Sequence, residues 1–138
     1  MTRRRPPGPG GRDDRGASTI EMVFYTPLLM LAILAIVQFS LTWYGNELAG
    51  AVARETARVV RTGGGSDDSV TRAHQRGTEY AGTVGGASLR DVSVEISRPD
   101  AQTVRVTVTG RAVEIVQGLA PRVSATVQGP VEGFRADL

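Results

Sequence analysis

The sequence predicts an α+β protein: a long N-terminal helix, transmembrane and then an extracytoplasmic stalk, joined to one additional helix and a small antiparallel sheet. Three observations carry this expectation. The 25 residues from Met22 to Asn46 contain no charge. Apolar residues then recur at helical spacing as far as Val59, and from Val92 onward they alternate with polar ones. An uncharged run of this length, helical at 1.5 Å per residue, reaches about 37 Å and crosses a hydrocarbon core of about 30 Å.

The elements follow in order. Residues 1–16 hold five Arg and two Asp, with Pro6, Pro7 and Pro9 among several glycines, so they read as a disordered basic leader. The span occupies 17–46. Pro27 lies near its start, where it removes one backbone donor, and Leu28 and Leu29 open its most apolar run. Trp43 and Tyr44 close it as aromatics of the headgroup level. The helix continues through 47–62. Leu48, Val52 and Val59 with alanines 49, 53 and 57 form one face, suited to close packing against the protein's own sheet, and Arg54, Arg58 and Arg61 form a solvated one. A head covers 63–138. Gly63-Gly64-Gly65 ends the first helix, and Ser66 to Ser69 supplies caps for a second that stops before Gly85-Gly86. Val92–Ile96 and Val104–Val108 alternate as a hairpin turning at Arg98-Pro99-Asp100, and 113–116 and 123–127 are two further short strand candidates.

Composition narrows function. The chain has 16 basic residues, all Arg, and 14 acidic ones; outside the leader the balance is 11 Arg against 12 acids. That argues against a basic nucleic-acid-binding domain, so no nucleic acid is expected as a partner. There is no Cys and a single His, His74, which argues against thiol chemistry, a Cys-based zinc site, a histidine-rich metal centre and a conventional histidine relay. Asp91, Glu95, Asp100 and Glu114 lack the spacing of a calcium loop and read as surface charge. Neither glycine cluster has the spacing of a phosphate loop. No catalytic residues, metal or cofactor are expected, and the chain reads as a non-enzyme.

The flanking charges orient the span. Five Arg precede it and the first Arg after it is Arg54, which places the N-terminus in the cytoplasm and the head outside. Ala49-Gly50-Ala51 and Ala51-Val52-Ala53 offer A-x-A patterns for a secretory cut, but the apolar core is too long for such a signal. A twin-arginine signal fails because Pro6-Pro7 follows the Arg cluster and the apolar run begins much later.

The run Arg15-Gly16-Ala17-Ser18-Thr19-Ile20-Glu21-Met22, with Pro27-Leu28-Leu29 beyond it, resembles the type III signal of type IV pilins and pseudopilins. More closely, it resembles the TadE-like family of accessory or minor pilins from tight-adherence (Flp-type) pilus systems. The resemblance implies cleavage between Gly16 and Ala17 by a prepilin peptidase, and pairing of Glu21 with the N-terminal amine of a neighbouring subunit. It also implies a pilin-like fold, an inner-membrane location with the lipid bilayer around the anchor, and partnership with other pilin-like subunits and an inner-membrane assembly platform. Met22 departs from the major pilins, which carry Tyr after the Glu, and points to an accessory role. The alternative is an unprocessed single-pass envelope protein whose extracytoplasmic head binds another protein.

Overall fold

The computed structural model describes residues 14–115, 118 and 121–132, with side chains from residue 20 onward. They form α1 (Asp14–Thr62), α2 (Asp67–Gly85), β1 (Leu89–Asp100), β2 (Thr103–Ala112) and β3 (Arg122–Pro130). The three strands make one antiparallel sheet in the order β1-β2-β3. The fold is therefore α+β, with the long N-terminal helix, the second helix and the small sheet that the sequence predicts. The chain divides into two compact units, one ending at Ala35 and the other beginning at Ile36.

In the first unit α1 begins at Asp14, so the last three residues of the expected leader are helical rather than irregular. Residues 1–13 of the leader lie outside the described residues.

In the second unit the core is made of small and β-branched side chains. Val104, Val106 and Val108 of the central strand are fully buried, with Leu89 and Val94 from β1 and Val123 from β3. Leu48, Ala49, Val52, Ala53, Ala57 and Val60 from α1 belong to the same cluster. The helix thus packs on its own sheet, although Val60 rather than Val59 joins Val52 as a fully buried valine, as the 3.6-residue period places 49, 53, 56 and 60 on one line. Close approach depends on glycine in two places. A Cβ at Gly45 would stand 3.0 Å from the Ala112 Cβ, and one at Gly77 would overlap Thr56 Oγ1. The Thr56 hydroxyl, buried there between α1 and α2, is satisfied by Val52 O at 2.8 Å.

Ser66 caps α2, its Oγ accepting from Ser69 N at 3.2 Å, and Gly86 ends it at φ +45°. Ala73, Gly77 and Ala81 form the buried line of α2, and His74 is exposed. The β1–β2 turn lies at Ala101-Gln102, beyond the Arg98-Pro99-Asp100 expected from the sequence. Strand β1 continues through Pro99 across a register irregularity, and Asp100 Oδ1 accepts from Gln102 N at 2.8 Å to close the turn. Register also shifts between Arg90 and Ser93, where Asp91 adopts φ +51°.

The strand expected at 113–116 does not form over Val113–Ile115; Val116 lies outside the described residues. The backbone groups that a partner strand would use are taken by one side chain. Gln38 of α1 donates through Nε2 to Val113 O at 3.2 Å, and its Oε1 accepts from Ile115 N at 3.1 Å. The sheet consequently has three strands.

Candidate membrane anchor and processing segment

The first unit contributes bare apolar helix. Met22, Val23, Phe24, Tyr25, Leu28, Leu29, Met30 and Leu31 are all exposed, and Phe24 is 73% so. Monomeric soluble proteins rarely leave so large a contiguous apolar surface in water. This one surrounds the helix instead of forming a stripe along it, which is the pattern of a segment solvated by lipid. By length and composition α1 is capable of crossing a membrane.

Side-chain hydroxyls within the segment bond back onto their own helix. Pro27 has no N–H to offer Val23 O, and the neighbouring Thr26 hydroxyl donates to Met22 O at 2.7 Å. A donor folded back onto its own helix removes a hydroxyl from hydrocarbon without needing a partner chain. Further along, Ser40 Oγ donates to Ile36 O at 2.9 Å and Thr42 Oγ1 to Gln38 O at 2.8 Å by the same device.

Glu21 is exposed at the head of this segment. Gly16 and Ala17 lie in the first turn of α1, and their side-chain surroundings fall outside the described residues. The peptide bond between them is therefore helical here, not extended as access to a protease cleft requires. Once the chain is a helix from Ala17, the Ala17 nitrogen and Glu21 stand four residues apart on one face.

Trp43 and Tyr44 are exposed in the second unit, and Phe39 lies beside Trp43 with ring centroids 6.5 Å apart. No motif marks Gln38, inside the uncharged run. A single long amide among apolar residues was the one available signal that a partner awaited it. On the stalk, Arg58 makes a bidentate pair with Glu55, at 2.9 and 2.8 Å. That pairing lowers the Glu55 carboxyl pKa and raises that of the Arg58 guanidinium. Arg61 is more than solvated, since its Nε donates to Pro130 O at 2.9 Å at the end of β3.

The remaining candidates are dispersed. Asp91 faces Arg111 at 3.6 Å, Glu114 accepts from Gly118 N at 3.0 Å, and Asp100 closes its turn. Bonds from Gln102 N and from Thr103 hold the Asp100 carboxyl below its ordinary pKa. Among the described residues no three His, Asp or Glu side chains stand close enough to hold a metal ion.

No curated protein and no solved structure matches the chain. A family model does, beginning at Gly16 and ending in the buried part of α1: residues 16–58 match the TadE-like protein family, the family that the Gly16–Glu21–Pro27 pattern resembles.

Proposed function

We propose that this chain is a pilin-like structural subunit, a minor pilin or pseudopilin, used in assembling a Tad (Flp-type) pilus. The observation that carries the reading is the TadE-like match over 16–58, which starts at the glycine of the proposed cleavage site and covers the bare apolar helix. A prepilin peptidase cuts between Gly16 and Ala17 and discards the Arg-rich leader. The matured chain stays in the inner membrane through α1, N-terminus cytoplasmic and head outside, in keeping with the positive-inside rule. The chain itself catalyses nothing. Its partners are the peptidase, other pilin-like subunits and the membrane assembly platform.

Glu21 serves assembly in this reading. A carboxylate in hydrocarbon costs on the order of 2.5–3.5 kcal/mol at mid-membrane and less at the interface. The new ammonium at Ala17, on its own helix or on a neighbour's, offsets that cost. Cleavage thus creates the partner for the acid at the same moment that it removes five Arg.

The test is the N-terminal sequence and intact mass of the membrane-bound protein from cells with and without prepilin peptidase. A start at Ala17 only when the peptidase is present supports the proposal. An uncut chain in both strains overturns it in favour of a permanent anchor, and a start near Arg54 would mean that a secretory signal had been removed.

A further inference from the structure

One rung of the sheet carries like charges in direct register. Arg90 of β1 pairs with Arg111 of β2, and Arg111 pairs with Arg122 of β3. All three side chains are exposed on the sheet face opposite the valine core. Like charges directly opposite across strands destabilise a sheet. The carboxylate within ion-pair distance is Asp91, at 3.6 Å from Arg111 Nε, and Glu114 lies at the same end of the sheet. The other rungs of this face carry no such repulsion: they read Ser93–Thr109–Ser124, Glu95–Thr107–Thr126 and Ser97–Arg105–Gln128.

The position of this rung along α1 gives it a meaning. The next residues of β2 and β3, Ala112 and Val123, are those that a Cβ at Gly45 would touch. The row therefore lies level with the turn of α1 that bears the exposed Trp43 and Tyr44. Past the row, Val113 and Ile115 are tied to Gln38, seven residues nearer the helix start and so about 10 Å along its axis. Gln38 lies inside the uncharged run, and Ile115 beside it is 46% exposed. Cations thus stand at the level of the interfacial aromatics, and an exposed aliphatic side chain stands on the apolar side of them.

We propose that this end of the sheet rests on the bilayer, with Arg90, Arg111 and Arg122 on anionic phospholipid headgroups and Ile115 below them among the acyl chains. The inference rests on the membrane-spanning reading of α1 given above. Guanidinium groups bind phosphate through paired N–H donors, and the phosphates relieve the repulsion along the row. Such docking fixes the head against rotation at the membrane surface, presenting one face of it to incoming subunits.

The full chain has one Trp and no Cys, so reporters are easily placed. In a Trp43→Phe background, Ile115→Trp and, separately, Leu29→Trp are reconstituted in phosphatidylcholine vesicles with and without phosphatidylglycerol, and quenching by brominated acyl chains is read. The Leu29→Trp reporter tests the span itself: if it is not quenched, the membrane reading has failed and this proposal with it. With that reporter quenched, the proposal expects quenching at position 115 that increases with phosphatidylglycerol. Each cation near an anionic surface is worth about five-fold, so Arg90→Gln, Arg111→Gln and Arg122→Gln together lower the ratio of docked to lifted heads on the order of 100-fold. Ser124→Cys, exposed on the adjacent rung, carries an environment-sensitive dye as a second reporter should the tryptophan disturb the fold. Its emission shifts to the blue with phosphatidylglycerol in the native row and not in the Gln variant. Quenching at Leu29→Trp with neither head reporter responding to the lipid overturns the proposal, and assigns the row to an acidic protein surface instead.

Discussion

Two stretches of the same helix solve opposite problems. From Ile20 to Leu31, α1 carries Met, Phe, Tyr and Leu side chains that stay exposed on all sides, whereas from Leu48 to Val60 its buried residues are Gly, Ala, Val and Thr, with Leu48 the one larger member. The difference is one of partner. Lipid is fluid and fills any gap, so large flexible side chains lose nothing there and gain apolar area. A sheet is a fixed surface, and a helix approaches it closely only where its own side chains are short. Among the apolar positions alone, side-chain volume separates the two stretches.

That contrast yields three tests. The largest effect is expected from Leu29→Arg. An arginine at mid-span raises the cost of insertion by about 2.5–3.5 kcal/mol, so membrane-integrated protein falls on the order of 100-fold in an insertion assay. The thermal unfolding of the head stays unchanged, because Leu29 is not part of its core. If the head melts earlier as well, the two stretches are not energetically separate.

Ala53→Leu makes the reverse change, placing a lipid-type side chain where α1 is fully buried. Overpacking of this kind costs typically 1–3 kcal/mol. Denaturant unfolding of the head should shift by that amount while insertion is unaffected. An unchanged midpoint would mean that the helix face has room to spare, contrary to the 3.0 Å approach at Gly45.

The smallest effect comes from acid. Glu55, bonded to Arg58, and Asp100, bonded to the turn backbone, both have carboxyl pKa values below their ordinary ones in the folded chain. Their contribution is complete above the ordinary carboxylate range of about 4, and it is lost as pH falls through the lowered folded values. Both sites are solvent-screened, so the head's melting temperature should decline only slightly through that window. Glu55→Gln combined with Asp100→Asn should flatten the decline, and an equally steep decline in that variant would place the acid sensitivity elsewhere.

Much of this architecture was legible in the sequence because each element carried a local signal. An uncharged run marks a span, a serine followed by acids marks a helix start, and alternation marks the strands. The misreadings arose where a distant group decided the outcome. Val113–Ile115 alternates plausibly as a strand, yet Gln38, 75 residues away, occupies its backbone. Pro99 suggested a turn, but register irregularity lets β1 run past it. The candidate anchor was readable as composition and pattern, from its uncharged run. The arginine row was not, since Arg90, Arg111 and Arg122 are neighbours only once the register of two hairpins is fixed.

The two polar ties between helix and sheet have a mechanical consequence. Gln38 holds the connection after β2, and Arg61 holds the end of β3, so the fastened length of α1 is about 35 Å. A pull along the helix axis therefore has no loose end at which to start peeling. It loads the whole valine-alanine seam in shear, with all contacts resisting at once. A chain pulled by its apolar helix would keep its head folded under forces that unzip an interface fastened at one end.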